Sequence, residues 1–408
     1  MKTGSLLVIF LTVFIDLLGF GMVLPILPLY ADQFTVDEAG WQLGLLMASF
    51  SAMQFLFAPL WGRLSDHIGR RPVLIVGLAG SVICYTLFAI ATNMQSFAWL
   101  LASRIGAGIA GATIPTAQAY IADTTSLAER PKGMALIGMA FGLGFTFGPL
   151  LGFLAVPERG AVPGPWPGYV AAMLSGAALL LALFVLPESL HRGSQPAARK
   201  IFDVQGTIQA LRLPSVGLLL VAIFVCIFSF ANFETTLSLL IKGSEEGASS
   251  PFRFSWGQVC LTYAYIGITL ALVQGGIVRR LADRVPEGAL AATGAGLELV
   301  GFSTMLWAIH ASSTPLLLTA LGLVVAGFSF MQPNLNSLLS RRSDPARQGM
   351  ILGVGQSVSS LARIAGSGLG IPLLRYSLGM PYYVAAGLMA GGLVLVVVAA
   401  RRGKDYPS

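Results

Sequence analysis

Three carboxylates stand inside long apolar stretches of this chain: Asp16 in FLTVFIDLLGFGMVL, Glu234 in FANFETTLSLL and Glu298 in GAGLELVGF. Two guanidinium groups keep the same company, Arg104 in ASRIGAGIAG and Arg363 in SLARIAGSG. A charge at the centre of a bilayer costs about 3 kcal/mol on insertion scales, so such a group faces a cavity or a partner. Burial disfavours an ionised carboxylate, which suits a buried acid to taking up and releasing a proton near neutral pH. Asp16 is the first candidate for such a proton carrier, on one helical stripe with Gly19 and Val23. Glu298 and Glu234 follow. The competing reading of Asp16 is a permanent pairing with Arg that serves packing alone, that of Glu298 a position near the interface or a pairing acid, and that of Glu234 a structural polar cluster with Asn232 and Thr235.

A second group of charges lies between apolar runs, in GRLSDHIGRRPVL. Gly62 and Gly69 permit a tight turn, Asp66 can face a helix N-terminus, and Arg70 and Arg71 can pair with acids. A solvated connecting loop explains the same charges without further chemistry. Polar amides form a third set, Gln118, Asn232, Gln332, Asn334 and Asn336. They can line a mostly apolar ligand cavity or tie helices together.

These groups need helices to hold them. Of 408 residues, 55% are hydrophobic and 11% charged, where soluble proteins carry about 25% charged residues. Apolar runs long enough to cross a bilayer recur along the chain. The spans read as 5–30, 41–61, 72–92, 97–121, 132–156, 168–187, 214–241, 256–278, 288–310, 314–339, 348–374 and 380–400. The fold class is therefore an all-α membrane protein of twelve transmembrane helices with both termini on one side. Nineteen of the 25 Lys and Arg residues fall on that side, four on the other, and Arg104 and Arg363 inside spans. By the positive-inside rule that side is the cytoplasm, and the net charge of +7 reflects topology and anionic lipid rather than nucleic acid. Cys84, Cys226 and Cys260 lie in or beside apolar spans with no metal-site spacing. No Gly-rich phosphate loop with its Lys is present, which argues against ATP-driven transport by this chain alone.

The second half of the chain echoes the first. LSD at 64–66 returns as LAD at 281–283, Pro115 as Pro333, Gln118 as Asn336, Gly133 as Gly349 and Gly148 as Gly366, at offsets of 216 to 218. Two six-helix bundles follow, 1–187 and 214–408, joined by a polar linker at 188–213. Pseudo-symmetric halves suggest a transporter with its binding site between them.

Several motifs carry a family resemblance. GRLSDHIGRRPVL resembles the signature loop of the major facilitator superfamily. RIGAGIAGATIPTAQAYIAD, at 104–123, resembles that family's fourth-helix motif. GLGFTFGPLLGF, at 142–153, resembles its fifth-helix antiporter motif, with Gly144, Gly148, Pro149 and Gly152. DLLGFGMVLPILPLYA, at 16–31, resembles the first helix of the drug:proton antiporters, the tetracycline exporters especially. Cys84 precedes Tyr85 where those exporters carry an acid, the fifth-helix motif ends Gly152-Phe153 rather than Gly-Gly, and His67 stands where Arg is commoner.

The resemblance implies the major facilitator fold and alternating access. It further implies a charge cluster of Asp66, Arg70 and Asp123 that latches one state, and proton coupling through Arg104. It places an acid of the exporters at Glu298, and it implies a fifth helix kinked at Gly148-Pro149 and packed against the eighth. The expected activity is proton-coupled export of drug-like, amphiphilic small molecules across a bacterial inner membrane by a monomer, with no cofactor and no catalysis. A metabolite transporter and a transport-inactive membrane sensor remain alternatives.

Overall fold

The computed structural model describes residues 2–23, 41–127, 129–154, 164–190, 214–242, 250–254, 256–344 and 348–403. The helices, in chain order, are α1 (Lys2–Val23), α2 (Trp41–Ile68), α3 (Arg70–Asn93), α4 (Phe97–Gly111), α5 (Ile114–Thr124), α6 (Arg130–Leu154), α7 (Trp166–Phe184), α8 (Pro214–Lys242), α9 (Trp256–Leu272), α10 (Glu287–Ala311), α11 (Thr314–Arg341), α12 (Gln348–Tyr376) and α13 (Met380–Arg402). A π-helical turn, Val273–Val278, and one helical turn, Arg279–Leu281, extend α9. No strand occurs among the described residues. Eight stretches are long and apolar enough to cross a membrane, and Leu6–Met22 and Lys132–Gly148 are shorter apolar helices. α2 and α12 are less apolar. α2 ends in the charged stretch from Arg63 to His67, and α12 carries Gln356, Ser357, Ser359, Ser360 and Arg363.

Two compact units divide the chain. One holds 1–126, 140–203 and 345–357, the other 127–139, 204–344 and 358–408, so α6 and α12 each contribute to both. The expected linker, 188–213, lies outside the described residues from 191 onward. In the first unit α3 packs on α4 and α7, and α1 on α7. The second unit repeats the scheme with α10 on α11 and α13, and α8 on α13. A matched pair of glycines shows why. A Cβ on Gly77 would meet Thr113 and the Ala110 carbonyl, and one on Gly294, 217 residues later, would meet the Gly327 carbonyl and Met331. Each glycine lets the adjacent helix approach at backbone distance, as membrane helices do where apolar burial gives no driving force.

Span 97–121, expected as one helix, is broken between α4 and α5. Pro115 has no N–H to give the Gly111 carbonyl one turn back, and a bare carbonyl in an apolar bundle is costly. Side chains of α2 donate to carbonyls at the break. Trp61 Nε1 donates to the Ile109 carbonyl at 2.7 Å, and Gln54 Nε2 to the Gly111 carbonyl at 3.4 Å.

Candidate functional site: membrane charges and the Asp66–Arg70 cluster

The embedded charges divide into paired and unpaired. Glu234 on α8 and Arg363 on α12 form an ion pair, each side chain 35% exposed. The other three have no opposite charge in hydrogen-bond reach among the described residues. Asp16 accepts from the Ser175 hydroxyl of α7 at 2.7 Å, and Ser81 of α3 also bonds its carboxyl. Arg104 is 2% exposed. Its guanidinium lies 4.8 Å from the centre of the Phe50 ring, and its Nε meets no acceptor. Glu298 is fully buried, with both carboxyl oxygens unbonded. It lies where α10 crosses Gly327 of α11, whose missing Cβ leaves room for the Glu298 side chain. Buried polar groups are nearly always bonded in folded proteins, so the Glu298 carboxyl is an exception in this bundle.

The glycines after Arg104 serve this arrangement. A Cβ on Gly108 would stand 2.6 Å from the Phe50 carbonyl oxygen, and one on Gly111 would crowd the Phe50 ring. α4 therefore closes on α2 and holds the ring over the guanidinium, where the π face offers about 1–2 kcal/mol of attraction in a dry setting.

The second cluster gathers around Arg70, which is 1% exposed. Its Nε donates to Asp123 Oδ2 at 3.0 Å. Its Nη1 donates to Ser65 Oγ at 2.8 Å and also to Asp66 Oδ1. Asp66 in turn accepts the Gly349 amide at 3.0 Å and the Met350 amide at 2.9 Å, at the N-terminus of α12 and within the same unit. Those are amides that a helix start leaves without intrahelical acceptors, and a carboxylate there also complements the helix dipole. Burial pushes the Asp66 carboxyl up from its ordinary value, against the pull of Arg70 and the two amides. Gly62, one turn before Asp66, brings α2 to backbone distance from Gly349. Gly69, at φ +108°, makes the turn from α2 to α3, and its missing side chain admits the carboxylate of Glu188. Glu188 Oε1 accepts the Arg70 amide at 2.9 Å, and Oε2 accepts the Arg71 amide at 3.2 Å.

The second unit carries a charge-inverted copy. At an offset of 217 to 218, Arg70 becomes Glu287 and Asp123 becomes Arg341. Arg341 Nη1 donates to both Glu287 oxygens at 2.8 Å, and Ser337 adds a bond at 3.2 Å. Asp283, the counterpart of Asp66, pairs with Lys132 near the start of α6. Sequence reading missed this copy because the residue types are exchanged; the constant offset was the signal that would have found it. It also missed Glu188, Ser175, Trp61 and Gln54, which look like ordinary polar residues until packing brings them to their partners.

The glycines of the antiporter motif face a close neighbour. A Cβ on Gly144 would meet the Leu17 carbonyl, and one on Gly148 the backbone of Gly21 and Met22, so this part of α6 lies against α1. The approach of α6 to the helix after α9 comes earlier, where Gly138 makes room for Gln274 and Gly275 for Met139. The shortest side chains face the closest neighbour, and along 144–148 that neighbour is α1. Pro149 and Gly152 lie on the same helix.

On α11 the expected cavity amides do not share one face. Gln332 and Asn336, one turn apart on α11, are half-buried. Asn334 is fully buried between them in sequence, its amide nitrogen bonded to the Phe330 carbonyl at 2.7 Å. Asn232 is fully buried, and neither atom of its amide finds a partner among the described residues. Gln118 is buried in α5. Among the described residues no group of three or more His, Cys, Asp or Glu stands close enough to hold a metal.

The profile of the Major Facilitator Superfamily matches residues 9–367. The chain is similar to the class C tetracycline resistance protein of Escherichia coli, at 33% identity over 98% of this chain and 95% of that protein. It is also similar to the Homo sapiens major facilitator superfamily domain-containing protein 10, at 32% identity over 98% of this chain and 93% of that protein. The solved structure of the human organic anion transporter MFSD10 superposes with a TM-score of 0.83 at 28% identity, covering 97% of this chain and 99% of that one.

Proposed function

Because the chain belongs to the major facilitator superfamily, we propose that it is a proton-coupled antiporter that exports amphiphilic, drug-like molecules by alternating access. The halves 1–187 and 214–408 act as its two moving bodies, and the termini lie in the cytoplasm of a bacterial inner membrane. One observation carries the proton coupling: Asp16 and Glu298 sit in apolar helices with no basic partner among the described residues. An acid held only for packing would be neutralised by an arginine, as Glu234 is by Arg363. Asp16, bonded to hydroxyls, can lose and regain its proton without breaking an ion pair. Glu298 is the second carrier. Arg104 supplies a fixed positive charge in the unit that holds Asp16 and favours the deprotonated carboxylate when the site empties of protons. The cluster of Gly62, Asp66, Gly69, Arg70, Arg71 and Asp123 latches one state of the cycle, and Gly144, Gly148, Pro149 and Gly152 let α6 slide on α1. Gln118, Asn232, Gln332, Asn334 and Asn336 supply polar anchors for the substrate.

A second reading concerns substrate charge. Arg104 has no counter-ion among the described residues, and one relative is a human organic anion transporter. An anionic substrate would answer that charge directly. Everted membrane vesicles, acidified by respiration and challenged with tetracyclines, lipophilic cations and organic anions, separate the readings. The antiporter reading expects some compound to collapse the pH gradient with the wild-type protein and not with Asp16→Asn. Collapse by organic anions alone moves the substrate class, and silence across the panel with folded protein present refutes drug antiport.

A further inference from the structure

The Glu234–Arg363 pair is more open than a packing role requires. Glu234 stands in α8 and Arg363 in α12, and each side chain is 35% exposed. The contact between those two helices does not depend on the pair. A Cβ on Gly366 would stand 2.8 Å from the Phe228 carbonyl oxygen, and one on Gly370 would stand 2.8 Å from Asn232 Oδ1, so glycines already seat α12 closely on α8. In the first unit Gly148, the counterpart of Gly366, brings α6 onto Gly21 and Met22 of α1 in the same way. There the residue 218 places before Arg363 is Phe145. The repeat therefore makes this helix contact once with an arginine at that position and once without.

An ionised group within a membrane span faces a cavity or a partner. Here a third of each side chain stays open after the partner is met. α12 is polar beside Arg363, with Gln356, Ser357, Ser359 and Ser360 in the two turns before it. The open edges therefore face water rather than acyl chains. The bond itself is single: Arg363 Nη1 donates to Glu234 Oε2. Glu234 Oε1 and the Nε–Nη2 edge of the guanidinium take no part in it. Such an edge is able to receive a carboxylate through two parallel bonds. Two buried polar groups on the same helices are also unbonded. The Ser360 hydroxyl, one turn before Arg363, and the Asn232 amide, two residues before Glu234, have no partner among the described residues.

A neutral pair with an open edge on each partner complements a neutral dipole. A lone cation would compete with Arg363 for Glu234, and a lone anion would compete with Glu234 for Arg363. Either would also bring a net charge into the membrane, which is costly there. A zwitterion brings none. We propose, on the transporter reading above, that the Glu234–Arg363 pair is the polar anchor of the substrate site and selects zwitterions. The substrate's ammonium donates to Glu234 Oε1, and its carboxylate accepts from the Nε–Nη2 edge of Arg363. The ion pair stays closed throughout, so neither residue is left alone when the site empties.

The test is direct binding to the full-length protein in micelles, at fixed pH and with no proton gradient. The probes share one aromatic body: an arylpiperazine carboxylic acid, which is a zwitterion, its methyl ester, which is a cation, and its N-acetyl derivative, which is an anion. The wild type binds the zwitterion about tenfold more tightly than either relative, on the scale of one further charge-assisted hydrogen bond. Glu234→Gln weakens the zwitterion and the ester and does not weaken the N-acetyl form. Arg363→Gln weakens the zwitterion and the N-acetyl form and does not weaken the ester. Should either single variant fail to fold, Glu234→Gln with Arg363→Gln carries no unpaired charge at the site and binds the three probes without ranking them. A pair that serves packing alone would shift all three probes together, and that result overturns the proposal. So does equal affinity of the wild type for the three, and so does binding of none. The antiporter reading falls on a different result, silence across the vesicle panel, so the two fail separately.

Discussion

Replacing Asp66 by Asn tests the cluster at its hinge. The carboxylate accepts the Gly349 and Met350 amides at 3.0 and 2.9 Å and bonds Arg70, with its side chain 8% exposed. Asparagine keeps the shape and one acceptor oxygen. It turns the other position into an N–H donor that faces a donor, and it removes the charge. Each hydrogen bond to a charged group contributes about 1.5–3 kcal/mol. Losing one outright and weakening the other costs about 3 kcal/mol, since the two share a single carboxylate and do not add in full. At 1.4 kcal/mol per tenfold, opening of the first turn of α12 becomes about 100-fold more frequent. Hydrogen exchange read on a peptide covering 348–356 measures that directly, because those amides exchange only when the bond to Asp66 opens. The reasoning predicts protection at Gly349 and Met350 falling by about two orders of magnitude, with α10 unchanged as the internal reference. Equal protection in wild type and variant would refute it, and so would a loss spread evenly over all helices.

Four further outcomes follow from the packing. Gly148→Ala places a methyl 2.5 Å from the Gly21 carbonyl carbon and should cost about 1–3 kcal/mol as overpacking, lowering Tm in a thermal scan. Gly176→Ala, whose nearest neighbour is Val82 at 4.0 Å, should leave Tm unchanged or raise it. Trp61→Phe removes the 2.7 Å donor of the Ile109 carbonyl, which keeps the Ala112 amide at 3.3 Å, and should destabilise the α4–α5 break by about 0.5–1.5 kcal/mol, read as faster exchange at Thr113 and its neighbours. A double-mutant cycle on Glu234→Gln and Arg363→Gln should return a coupling of about 1 kcal/mol, since both side chains are a third exposed; zero coupling in the unfolding free energies would show the ion pair to be idle.

The sequence carried the architecture because bilayers demand apolar runs of fixed length and because the repeat offset is nearly constant. Arg70 could be matched with Asp66 and Asp123 from the family resemblance of the two motifs that hold them. The Glu287–Arg341 copy was hidden, since exchanging acid for base across the repeat preserves the bond and erases the pattern. The break at Pro115 was foreseeable from a missing N–H, but its rescue by Trp61 and Gln54 depends on how α2 rotates, which hydrophobicity does not encode. The contact of the 144–148 glycines with α1 has the same origin. Small residues announce a close approach and do not say to which helix. Asp16 and Glu298 were visible as charges in apolar runs, whereas their want of an arginine partner is a fact of side-chain geometry.

The most direct test of the account is proton movement in proteoliposomes containing purified protein and a lumenal pH dye. With a substrate from the vesicle panel, the wild type should exchange protons for substrate, and substrate flux should follow an imposed pH gradient. Asp16→Asn should still exchange labelled for unlabelled substrate while moving no protons, because the variant keeps the shape of the site and loses the titrating group. Proton flux that persists in Asp16→Asn and in Asp16→Asn with Glu298→Gln, or substrate flux indifferent to the gradient in the wild type, would contradict the assignment of the unpaired membrane acids as proton carriers.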